Sequence, residues 1–273
     1  MSSSSPPPTP VVVTSHATVL LVNTTARMER ALWDLASHSA LIVDCEGTDL
    51  GKNDTSLCLL QIKPFVKNSK QKQPTVYLFD VVALGGPVVF HHPASDAHVP
   101  RVTLANLLCS TSILKIVFDG RMDARALFRE HNVHLTNVMD AQLLNVATAA
   151  KRGRALRFMP GLMATLRYTN KQFADQLDAP KQLVTAQFEN DPAAWRTRPL
   201  PDHFLEYAAN DCIALERVYT HLDAQLRRVV VKSAYNKAVQ RLLAESHRRM
   251  QSMYGDDVDM SREAMTTIVL FEI

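Results

Sequence analysis

Three apolar runs of strand-like composition stand close together in the first third of the chain: Ala40-Leu-Ile-Val-Asp-Cys-Glu46, Leu57-Cys-Leu-Leu-Gln-Ile62 and Val76-Tyr-Leu-Phe-Asp80. Strands so closely spaced suggest an antiparallel meander. A shorter strand pattern, Ala17 to Asn23, precedes them. It is followed by Thr24 to Ser37, where Met28, Ala31, Leu32 and Leu35 recur at helical spacing. From about residue 102 the pattern changes. Leu104 to Leu108 reads as a short helix, Ile113 to Phe118 as a strand and Met122 to Glu130 as a helix. Helical patterns then dominate, around 141–149, 161–168, 202–222 and 232–253. Strands first, then strands alternating with helices, predict an α/β fold with a mixed sheet.

The length of 273 residues suits one large domain, or one domain with an extension. No run of ~18 apolar residues occurs, so a membrane-spanning helix is not expected. The four cysteines, Cys45, Cys58, Cys109 and Cys212, show no CxxC spacing, which argues against a disulfide framework or a zinc site and for a reducing compartment. The net charge of +3 permits nucleic-acid binding without requiring it. The Ser/Pro-rich start lacks the features of a secretory signal, and residues 1–15 are expected to be a disordered tail. Residues 16–230 then form the main domain and 231–273 a helical C-terminal extension. Thr266 to Glu272 has strand-like composition.

Asp44 and Glu46 end the first of the three apolar runs. Residues i and i+2 of a strand share a face, so the two carboxylates point the same way while Cys45 points to the other side. Adjacent like charges are costly unless a cation lies between them, and carboxylate oxygens suit Mg²⁺ or Mn²⁺. A polar strand end in solvent is the structural alternative. Further on, Tyr207-Ala-Ala-Asn-Asp211 puts a phenol and an acid on one helix face, four residues apart. Phe118-Asp-Gly-Arg-Met-Asp123 joins a strand to a helix and offers two acids, of which Asp119 is the better placed for a helix cap.

Each of these signals is modest alone. Together and in this order they resemble the DEDD family of 3′–5′ exonucleases, in its ribonuclease D-like branch with a tyrosine in the last motif. Leu41-Ile-Val-Asp-Cys-Glu-Gly47 looks like the first motif, with Ser56 to Ile62 as its continuation. Lys115 to Ala124 looks like the second, and Tyr207 to Asp211 like the third, preceded by Trp195-Arg-Thr-Arg-Pro-Leu200. The resemblance implies a ribonuclease H-like fold, a central mixed sheet flanked by helices. It also implies a catalytic set of Asp44, Glu46, Asp123, Tyr207 and Asp211. The four acids would ligate two divalent cations, Mg²⁺ or Mn²⁺, with Asp123 preferred to Asp119 by its position in the motif. Tyr207 would orient the attacking water, since a phenol with a pKa of about 10 is a poor base at neutral pH. One departure is Phe118, where relatives often carry His.

The expected substrate is nucleic acid with a free 3′ end, single-stranded RNA ahead of DNA. Candidate phosphate contacts are Lys151, Arg152, Arg154 and Arg157, with Arg196 and Arg198 before the last motif, and less strongly the lysine-rich loop from Lys63 to Lys72. A cytoplasmic or nuclear location is expected by default. The competing expectation is a nuclease-like domain that binds RNA or a protein without cutting. The presence of all four acids and the tyrosine favours activity.

Overall fold

A computed structural model describes residues 11–259, apart from 53–54, 68–72, 92–101, 155, 157 and 192. In chain order the elements are β1 (Val11–Val13), β2 (Thr18–Val22), α1 (Thr25–Ala36), β3 (Ala40–Thr48), β4 (Ser56–Pro64) and β5 (Thr75–Asp80). Next come α2 (Leu104–Leu108), β6 (Leu114–Val117), α3 (Arg121–His131), β7 (Val138–Asp140), α4 (Ala141–Lys151) and α5 (Leu162–Thr169). The last are α6 (Lys171–Asn190), α7 (Asp202–Val229) and α8 (Tyr235–Gln251). The strands form one sheet in the order β1-β2-β5-β4-β3-β6-β7. The meander β3-β4-β5 is antiparallel, as are β1 and β2. The pairs β2-β5, β3-β6 and β6-β7 are parallel, so the sheet is mixed as expected.

The alternation along β3 explains why the sheet is covered on both sides. Leu41, Val43 and Cys45 enter one apolar cluster, with residues of α1, α2 and α3. Ile42 enters the other, dominated by α4, α5, α6 and α7. Period-two geometry therefore carries Asp44 and Glu46, two and four residues beyond Ile42, onto the side covered by the long helix α7. The register of β3 against β4 shifts between Glu46 and Gly47. A Cβ on Gly47 would lie 2.2 Å from the Ser56 carbonyl oxygen, so this irregularity needs a residue without a side chain.

Three elements depart from the expected pattern. The tail expected over residues 1–15 already contains β1, and Thr14, also within it, is buried and bonds its hydroxyl to the Ala17 carbonyl. The short strand β7 was not anticipated, since three residues carry too little periodicity to register. The helix α6 was not anticipated either. Pro180 lies inside it, and a proline removes a helical N–H and crowds the preceding turn, so the sequence looks broken there. Burial of Phe173, Ala174, Leu177 and Val184 holds the helix together across that point.

The segment from residue 231 is helical over α8 and packs on the sheet edge and on α3 and α4. Thr266 to Glu272 lies outside the described residues. Arg249 of α8 ion-pairs with Asp140, which is fully buried, and with Asp119 at 3.0 Å; it also donates to the Gln142 amide oxygen at 2.7 Å. Ser246 accepts a hydrogen bond from the Asp140 amide. Arg125 of α3 donates to the carbonyls of Met253 and Gly255.

Removing Arg249 would strand a buried carboxylate. Arg249→Met is expected to destabilise the protein by about 3–5 kcal/mol. Arg248→Met, which loses only the surface pair with Glu245, should cost under ~1 kcal/mol. Urea unfolding of the two variants side by side checks both values.

Candidate active site

The sequence order of the acids gives no hint of how close they lie. The strand β3 delivers Asp44 and Glu46, and α7 crosses the same face of the sheet with Tyr207 and Asp211 one turn apart. One ligand oxygen each from Asp44, Glu46 and Asp211 lies within 4.8 Å of the others. Asp123 is in the first turn of α3, where the helix dipole favours an acid. It is buried and feels the charge of Asp44, but it is not among the three acids whose oxygens gather within 4.8 Å.

Charge crowding shows in the protonation of the group. Burial, followed by the neighbouring Asp211, pushes Asp44 up to about 7, although Lys181 opposes the shift. Burial and then the charges of Asp44 and Asp211 hold Glu46 well above the usual carboxylate range. Asp123 is raised by burial, then Asp44, Asp119 and Asp140. Oxygen ligands that repel one another and are held on three rigid elements are the donor set a hard divalent cation takes. The residues present therefore fit such an ion.

Asp119 has a different role. Its backbone is left-handed, with φ of 52°, and its carboxylate is gripped by Arg121 at 2.6 and 2.9 Å and by Arg249. Its amide donates to Asp140 at 2.9 Å. This network fixes the turn that launches α3 and hence places Asp123.

Tyr207 is buried against Trp195 and Phe188, with the Lys181 ammonium over its ring. Burial, then the charges of Glu46, Asp211 and Asp44, push its phenol far above the usual tyrosine value. The phenol therefore stays protonated and can donate or orient, but does not act as a base near neutral pH.

Sequence reasoning missed Lys181. Its ammonium lies 2.7 and 2.6 Å from the two carboxylate oxygens of Asp211 and 4.6 Å from the centre of the Tyr207 ring. Burial works against its charge, but Asp211, Glu46 and Asp44 together outweigh it and hold the ammonium above the ordinary lysine value. It sits on α6, the helix hidden by Pro180, and no motif spacing points to it. The chain thus places a cation of its own against the clustered acids.

Of the six basic residues expected to contact nucleic acid, the five described ones are dispersed. Arg196 is exposed on the short turn Ala194–Arg196, which packs against β3 and β4, and its charge reaches Glu130. Arg198 is turned inward. It donates to Asp80 at 2.7 and 2.9 Å and to the carbonyls of Trp195 and Cys58, because buried Asp80 requires a counterion. Lys151 and Arg152 stand at the exposed end of α4. Arg152 bonds Gln225, fourteen residues beyond Asp211 on α7, which is about 21 Å along the helix. Arg154 stacks on Tyr168 at 4.1 Å. Arg157 lies outside the described residues. Of the lysine loop, Lys63 is buried in an ion pair with Glu216 at 2.6 Å. Lys67 pairs with Asp223 at 3.3 Å, while Lys70 and Lys72 lie outside the described residues.

Comparison with known proteins follows the same outline. A family model described as a 3′-5′ exonuclease matches residues 19–227. The piRNA biogenesis protein EXD1 of Mus musculus is 27% identical over 194 residues, covering 69% of this chain and 29% of that protein. The exosome complex component 10 homolog of Drosophila melanogaster is 24% identical over 208 residues, covering 76% and 19%. The chain thus spans under a third of the length of these curated relatives. Among solved structures, Trypanosoma brucei RNase D in complex with RNA U12 superposes with a TM-score of 0.64 at 22% identity, covering 93% of this chain and 76% of that one. The Aedes aegypti Nibbler EXO domain gives 0.60 at 21% identity, covering 86% and 99%. With the family model matching residues 19–227, the chain belongs to the 3′–5′ exonuclease family, with a ribonuclease D-like form of the ribonuclease H-like fold.

Proposed function

We propose that this chain is an exonuclease that removes nucleotides from the 3′ end of single-stranded RNA, using two divalent cations, Mg²⁺ or Mn²⁺. The observation that carries this is the convergence of Asp44, Glu46 and Asp211 within 4.8 Å, with buried Asp123 in the field of Asp44 and Tyr207 on the same face of α7. Asp44, Glu46 and Asp211 would hold one ion, and Asp44 with Asp123 the other. When bound, such ions activate a water and neutralise charge on the phosphate and the leaving oxygen. Tyr207 keeps its proton and orients the attacking water through its hydroxyl. Arg196, exposed beside the acid-bearing strand, contacts a substrate phosphate. RNA is preferred to DNA by likeness to the RNase D complex alone.

A second reading is favoured by one observation. Lys181 already neutralises Asp211, so the fold tolerates its acids without metal. A nuclease-like domain that binds RNA or a protein partner without cutting is compatible with that.

Digestion of 5′- and 3′-labelled RNA and DNA decides between the two. Stepwise, metal-dependent loss from the 3′ end is expected. It should fall roughly 10³-fold or more in Asp44→Asn and about 10²-fold in Tyr207→Phe. RNA binding without cleavage under any metal would instead establish the second reading. Arg196→Ala should raise KM with little change in kcat and reduce the salt slope of RNA binding by about one.

The raised carboxylates also give stability a sign. A group with pKa raised on folding stabilises the fold while protonated, and that contribution disappears as pH rises through the folded value, about 7 for Asp44. Without metal, Tm should fall from about pH 5 to about pH 8, each pH unit costing up to about 1.4 kcal/mol per group. Mn²⁺ should restore Tm more at the higher pH, because ligation requires the ionised carboxylates. Thermal scans across that range, with and without Mn²⁺, would show a flat profile if the acids were ordinary surface groups.

A further inference from the structure

Among the described residues, Lys181 is a strongly placed charge at the site that the proposed chemistry does not use. Its ammonium engages both carboxylate oxygens of Asp211, at 2.7 and 2.6 Å, and lies over the Tyr207 ring. Its charge also acts on Asp44 and Glu46. Those three carboxylates are the ones whose oxygens gather within 4.8 Å. An ammonium and a divalent cation at one cluster repel each other, and Asp211 must give up at least one oxygen to ligate an ion.

We propose that Lys181 is a built-in cation standing in for metal at the Asp44–Glu46–Asp211 cluster, so that metal entry displaces its ammonium and loosens the middle of α6. This rests on the metal-binding reading of the same cluster. The lysine is suited to the task because its flexible four-carbon stem lets the charge swing away, and its side chain is still 26% exposed. The helix is suited as well. Pro180, the preceding residue, leaves α6 short of a backbone donor at this point. Phe188, two turns after Lys181, packs edge-on against the Tyr207 ring. The middle of α6 is therefore fastened to the site through Lys181 and Phe188. Whatever stabilises the metal-free arrangement lowers metal affinity by the same factor, since the two states are linked. Lys181 is thus a tuning residue for ion binding and not a catalytic residue.

Mn²⁺ titration by calorimetry and by electron paramagnetic resonance tests this on the full chain. Lys181→Met is expected to bind its first Mn²⁺ about tenfold more tightly than the wild type. Lys171→Met, which removes an exposed lysine of α6 paired with Asp175, should leave the affinity unchanged. Hydrogen exchange of the wild-type protein gives a second readout that needs no variant. Amides over residues 181–188 should exchange faster when Mn²⁺ is added. Equal or weaker Mn²⁺ affinity in Lys181→Met, or exchange over 181–188 that does not speed up, would overturn the proposal and leave the metal centre standing. No Mn²⁺ bound by either protein would overturn both.

Discussion

Carboxylates brought together in a partly dry site must be neutralised, and much of this molecule is arranged around that requirement. Asp211 is met by Lys181, and Asp140 and Asp119 by Arg249. Arg121 adds a second grip on Asp119, while Asp80 takes Arg198 and Glu216 takes Lys63. Asp44, Glu46 and Asp123 are left with raised pKa values, electrostatic strain that a bound divalent cation would relieve. A cation of the chain's own at one end of the cluster makes this strain tolerable in the metal-free protein.

The same requirement explains why the basic residues could not be sorted from sequence. Arg196 and Arg198 are two residues apart and look alike as phosphate contacts. Arg198 is instead bound to buried Asp80 and to main-chain carbonyls, whereas Arg196 stays exposed beside the acid-bearing strand. Lys63 reads as part of a solvated lysine loop yet is buried against Glu216. A counterion is recognised by the acid it meets, and Asp80 and Arg198 are 118 residues apart. No local pattern carries that information.

What was legible depended on periodicity. Asp44 and Glu46 share a face because a strand alternates, and Tyr207 and Asp211 share one because a helix repeats every 3.6 residues. The meander β3-β4-β5 followed from apolar runs too close together for much else. The helix α6 was hidden because Pro180 contradicts its pattern locally, while the burial of Phe173, Leu177 and Val184 that overrides the proline is a tertiary effect. Lys181 went unseen with it. The strand β7 was missed because three residues show no period, although its last residue, Asp140, anchors the network behind Asp123.

That network bears on where the catalytic unit ends. Asp123 is placed by the turn before α3, and that turn is shaped by Asp119 in a left-handed conformation. Such a conformation in a residue other than glycine persists only where its surroundings enforce it. Here the enforcement is the Arg121 fork, the Asp119 amide bond to Asp140, and Arg249 reaching across to both acids. Arg249 belongs to α8, in the segment that looked like an appendage to the nuclease domain. Its guanidinium adds a second link between Asp119 and Asp140, beside the bond from the Asp119 amide to the Asp140 carboxylate. The helix α8 thus takes part in the network that shapes the turn before Asp123.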